Sequence, residues 1–125
     1  MTTPQERIRS IGWGAELLGR LQQDATIPED LQLLARQAAV SYPTTATLLE
    51  LLTSPSLLFP AEAGRSVEAA RELFENVRSV GARTEETRRH LLYTMRHFPL
   101  PGWAEDADVA ARLGRLDYWL AADGL

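Results

Sequence analysis

Residues 9–21 read RSIGWGAELLGRL, and residues 65–77, displaced by 56 positions, read RSVEAARELFENV. Both stretches place apolar side chains at helical spacing, with Ile11, Leu18 and Leu21 falling on Val67, Phe74 and Val77. Arg9, Ser10, Glu16 and Leu17 meet identical residues at Arg65, Ser66, Glu72 and Leu73. Without a gap the register runs on, Glu29-Asp30 falling on Glu85-Glu86 and Tyr42-Pro43 on Phe98-Pro99. Each copy therefore reads as a helical hairpin closed by an aromatic-proline corner, because proline cannot continue a helix and restricts the residue before it. The fold expected is all-α: five to six helices in one compact bundle, built from two pseudo-repeated hairpins at a 56-residue offset.

Outward from this stretch the pattern stays helical, and no alternating run of branched or aromatic residues marks a strand. Ile8, Ile11, Ala15 and Leu18, with Leu21 alongside, form the first inward stripe. Leu31, Leu34, Ala35, Ala38 and Tyr42 form the second; Leu33 and Val40 line the opposite side, which predicts a helix buried on two faces. Residues 45–52, TATLLELL, predict a short third helix, and the two prolines and glycine of residues 54–64 predict a loop. Ser66 is expected to cap a fourth helix that ends at Gly81, and Thr84 a fifth whose first turn carries Glu85-Glu86 at the positive end of the dipole. A last helix is expected over 106–122, with Val109, Leu113, Leu116 and Leu120 inward and Trp103 and Trp119 packed around it. The chain is thus one domain over 1–125, with pseudo-repeat A at 5–53, the loop at 54–64 and pseudo-repeat B at 65–122.

Two further features narrow the class. The opening MTTPQERIR, through Thr2, Pro4, Glu6, Arg7 and Arg9, resembles the Met-Thr-x-Pro-x-Glu-Arg-x-Arg start of a family of small uncharacterised proteobacterial helical proteins. Their second helix ends in an Arg-His-Tyr-Pro-like string, matched loosely by AAVSYP (38–43) and more closely by YTMRHFP (93–99). The likeness covers residues 1–43, with an echo at 84–99; it implies a helical fold and a bacterial origin, and brings no known activity.

Composition sets the remaining limits. Apolar residues at 45% and charged residues at 24% fit a folded globular chain. No cysteine is present, which excludes disulfides and thiol chemistry. With neither a signal-peptide pattern nor an apolar run long enough to span a bilayer, a cytoplasmic location and no membrane partner are expected. All thirteen basic residues are arginine, a usage that reads either as codon bias in a GC-rich genome, the favoured reading, or as a surface selected for bidentate contacts. Net charge is −4, yet residues 65–97 carry seven arginines against five acids.

Both histidines lie in RHLLYTMRHFP, residues 89–99. At 100° per residue Leu91, Met95 and Phe98 face inward, with Leu92 at the edge. Arg89, His90, Tyr93, Arg96 and His97 then share the opposite side, either as a cationic, aromatic face for an acidic or planar partner or as a solvated band steadied by Glu85–Arg89 and Glu86–His90 pairs, the commoner case for a charged helix face. Arginine and tyrosine are residue types that carry interface energy. Trp13, between two glycines on the polar side of its helix near Arg9, Glu16 and Arg20, is either an interface anchor or is covered by the loop or the last helix.

No catalytic residue is assigned, because no serine lies in a nucleophile elbow and adjacent Glu85 and Glu86 diverge too far to flank one bond. No cofactor is expected, since IGWGAELLG lacks the phosphate-loop spacing. No metal is expected either, the two histidines standing about 10.5 Å apart along a helix axis. The expectation is a non-enzymatic protein–protein interaction module, a regulatory adaptor or immunity-type inhibitor, using Arg89, His90, Tyr93, Arg96, His97 and Trp13. Its partner would be a protein, with self-association left open. The alternative is a nucleic-acid or nucleotide-binding protein using the arginines of 65–97, against which the acidic overall balance counts.

Overall fold

A computed structural model describes residues 4–53, 61–80 and 84–100. They form five helices, and among the described residues there is no strand: α1 (Pro4–Gln23), α2 (Glu29–Val40), α3 (Thr45–Thr53), α4 (Ala61–Val80) and α5 (Glu85–Met95). The expected helix over 106–122, with Trp103 and Trp119, and the Gly81 stop lie outside the described residues.

Central to the packing is α1, which lies against α2, α5 and α3, while α2 lies against α4. Sparser contact between α4 and α5 completes a ring of the four longer helices. Ile8, Ile11, Leu17, Leu18 and Leu21 of α1 are buried together with Val67, Ala70, Leu73, Phe74 and Val77 of α4. Leu31, Ala35, Ala38, Leu48 and Leu91 complete the core from the other helices. Each large aliphatic side chain taken fully out of water contributes about 1.5–3 kcal/mol toward folding.

Three expectations are corrected. Ala15 is exposed, and Gly14 and Leu17 occupy the buried side instead. The second helix is buried on one face: Leu33 is 51% and Val40 82% exposed, and Leu34 is also largely open. Leu31 and two small alanines suffice to meet both α1 and α4 along one edge of α2, leaving its other side to solvent. Helix α4 begins at Ala61, not Ser66, so residues 61–64 of the expected loop are helical. Alanines at 61 and 63 are strong helix formers, and Glu62 suits the first turn; Ala63 and Gly64 are buried there by tertiary packing.

A polar turn joins α1 to α2. Asp24 Oδ1 accepts from the Thr26 amide at 2.9 Å and the Thr26 hydroxyl at 2.6 Å, an aspartate-led turn. Ile27 is buried in this turn, and Pro28 precedes α2. As expected, Thr84 caps α5, its hydroxyl accepting from the Thr87 amide. Asp24 Oδ2 in turn accepts from the hydroxyls of Thr87 (2.7 Å) and Thr84 (3.2 Å), which ties the end of α1 to the start of α5.

At the opposite end, the two aromatic-proline corners converge. The Tyr42 hydroxyl donates to the Ile11 carbonyl at 2.7 Å, and burial pushes that phenol far above its ordinary range. Phe98 packs edge-on against Phe74, ring centroids 5.3 Å apart. Both corners press on Gly14: a Cβ there would fall 2.8 Å from Phe98 Cε1 and inside contact distance of the Tyr42 hydroxyl. The second corner is held by arginine. Fully buried Arg7 donates to the His97 carbonyl at 2.8 Å, and the Ser10 hydroxyl stands 2.9 Å from the same oxygen. Arg71 reaches the carbonyls of Phe98 and Pro99, each at 3.3 Å.

Candidate functional site

The crossing of α1 and α5 gathers most of the residues expected to face a partner, though not as one exposed band. His90 is only 5% exposed, and it sits between the helices. Its Nδ1 lies 3.3 Å from the Nε of Arg20, which can only donate, so Nδ1 accepts. The ring proton is therefore on Nε2, which donates to the Trp13 carbonyl at 3.1 Å. That geometry requires a neutral imidazole. Burial lowers the His90 pKa and nearby Arg20 adds to it, with the Trp13 carbonyl and Glu16 opposing.

The expected Glu86–His90 pair is replaced by an interhelical one, Glu86 Oε2 lying 3.2 Å from Arg20 Nη1. Spacing along α5 alone cannot anticipate this, because Arg20 comes from another helix. Arg89 pairs with Glu85 as expected, at 3.3 Å, but points away from the crossing. Half-buried His97 sets its Nε2 2.8 Å from Glu6 Oε2, so it too leaves the solvated band.

His90 forms the base of an aromatic stack. Tyr93 lies nearly parallel to it, ring centroids 5.0 Å apart, and meets Trp13 edge-on at 4.8 Å. Trp13 is thus half-buried against Tyr93. Arg9, one turn earlier on α1, places its guanidinium carbon 6.0 Å from the Trp13 ring centroid, at the limit of a cation–π contact. A cleft of about 290 Å³ opens here, lined by Glu6, Arg9, Trp13, Tyr93, Arg96 and His97. Among the described residues, neither Arg9 nor Arg96 is in an ion pair.

Trp13 and Arg9 also form one wall of a second cleft, about 380 Å³, on the α3 side of α1. It is more apolar, with Ile8, Gly12 and the half-exposed Leu49. A wider polar groove of about 830 Å³ runs from Tyr93 past His90 to Asp24. There Asp24 has its carboxyl at a pKa of about 2: its slight burial would raise the value, but hydrogen bonds from Thr26, Thr87 and Thr84 outweigh that.

Four of the six residues expected at a partner site therefore line the smaller cleft: Trp13, Tyr93, Arg96 and His97. His90 supports it from beneath, and Arg89 lies outside. Arg9 and Glu6 belong to it unexpectedly. The i, i+4 spacing of Arg9 and Trp13 carried the signal for the first; Glu6 meets His97 only through the chain reversal. No protein-family model matches the chain, and no curated protein or solved structure matches it.

Proposed function

We propose that the protein is a non-enzymatic protein–protein interaction module, a regulatory adaptor or an immunity-type inhibitor, whose partner lies across α1 and α5. One observation carries this reading. Tyr93 stacks on buried His90 and meets the Trp13 ring edge-on, and two arginines with no carboxylate of their own flank the pair. A rigid aromatic pair with adjacent guanidiniums is the arrangement that concentrates binding energy, since little side-chain entropy remains to be lost.

Nucleic-acid binding through 65–97 is less well supported. Arg71 turns inward to backbone carbonyls and Glu75, and Arg88 and Arg89 share Glu85, so much of that positive charge is already engaged. The same proposal includes a bacterial origin, as the resemblance implies, together with a cytoplasmic setting and descent from a duplicated hairpin. Favouring duplication, α1 and α4 have twenty residues each, and the two aromatic-proline corners meet at one glycine.

Tagged wild-type chain and a Tyr93→Ala/Arg96→Glu variant, used as baits in a lysate of the source organism, test the reading. A protein retained by the wild type and lost by the variant is the expected result. Equal retention by both baits would move the site elsewhere. Recovery of nucleic acid alone, released steeply by salt, would favour the alternative.

A further inference from the structure

The two clefts share a wall, and their chemistry differs. On the α5 side, Arg9 and Arg96 open into a space that holds one carboxylate, Glu6, whose Oε2 is directed at His97. On the α3 side, Ile8, Gly12 and Leu49 form the apolar part of the lining around the other edge of Trp13, with Gln5, Glu16 and Thr45 at its polar margin. At about 290 Å³ and 380 Å³ both clefts stand near the lower end of the roughly 300–1,000 Å³ that small-molecule sites span, a size that also suits the side chains of a partner segment. Resting on the interaction reading above, we infer that the site takes an extended partner segment that crosses α1, seating one aspartate or glutamate carboxylate between Arg9 and Arg96 and a nearby apolar side chain against Ile8, Gly12 and Leu49.

Charge complementarity selects that occupant. Two unpaired guanidinium forks offer bidentate donors to a carboxylate. The chain as a whole carries −4, so a long polyanion meets repulsion beyond the cleft where a single carboxylate does not.

Nuclear magnetic resonance titration of the full chain tests this. The probes are blocked peptides holding one leucine and one glutamate at graded separations, their glutamine twins, and inorganic phosphate. The glutamate peptide of matching separation shifts the Trp13 indole N–H, the Nε–H groups of Arg9 and Arg96, and the Leu49 methyls. Its glutamine twin binds at least about fivefold more weakly, as loss of a charge-assisted hydrogen bond implies. Arg9→Gln/Arg96→Gln removes the difference between the twins and, both sites being exposed, leaves the helical spectrum unchanged. Equal binding by both twins, absence of shifts with every peptide, or tighter binding of phosphate overturns the inference. A partner protein captured through Trp13 and Tyr93, but indifferent to Arg9→Gln/Arg96→Gln, would leave the interaction module standing and remove only the acidic-apolar motif.

Discussion

Among single residues, His90 has the sharpest consequence. Its Nδ1 accepts from Arg20, so protonation would set an N–H against a guanidinium in a buried position. The folded pKa is lowered, so below about 6.5, the ordinary histidine value, the unfolded chain binds a proton that the folded chain resists. Stability from this residue is complete above about pH 6.5 and falls as pH drops below it. Glu16, Arg20, Asp24 and Glu86 are the charged groups of the groove that the ring borders. Urea midpoints measured from pH 8 to 5 should therefore decline in the wild type, and His90→Gln should flatten the decline. An unchanged slope in the variant would place the titrating group elsewhere. Gly14 is the second decisive residue. Alanine there gains up to about 1 kcal/mol in helix propensity, but overpacking against Phe98 and Tyr42 costs about 1–3 kcal/mol. Gly14→Ala should thus lower the melting temperature, and Tyr42→Phe should relieve part of that loss in a double-mutant cycle, since the hydroxyl is the nearest atom. Additive effects would mean the two do not touch.

Between elements, the tie of α1 to α5 runs through the Asp24 carboxylate. Thr84 both caps α5 and donates to Asp24, so the helix start and the interhelical contact are one network. Thr84→Ala should cost about 1 kcal/mol from the cap, measurable by chemical denaturation. Asp24 has a folded pKa of about 2, below its unfolded value, so its contribution is full above about pH 4 and is lost as pH falls toward 2. Because the group is largely open to water, that contribution is about 1 kcal/mol or less after screening. Asp24→Asn should remove the corresponding part of the acid-side loss; a wild-type acid limb surviving intact would assign it to other carboxylates. At this scale the sequence was readable where local chemistry decides. The Thr84 cap, the acidic first turn of α5 and the α3 span follow from short-range rules. The start of α4 at Ala61 does not, because burial of Ala63 and Gly64 carries the helix back past the glycine and the Ser66 cap at which local rules begin it.

Across the whole molecule, what decides the site is the crossing of α1 with α5, distant in sequence. The band on α5 reads as solvated when only its own periodicity is considered, and α1 then covers half of it. His90 sinks because Arg20 and the Trp13 carbonyl offer both ring nitrogens partners. His97 turns aside because Glu6 arrives beside it. Leu33 and Val40 are the converse: apolar residues that periodicity assigns inward, left exposed because no described element covers that side of α2. By itself the sequence determined the all-helical class, most of the helix spans and the aromatic-proline corners, since these depend on spacing, capping and proline geometry within a few residues. Only the tertiary structure decided which polar residues are buried, that both corners meet at Gly14, and that Arg9 joins Arg96 around Trp13. Those outcomes depend on which helix packs against which, and that is set by the summed burial of the core rather than by any local pattern.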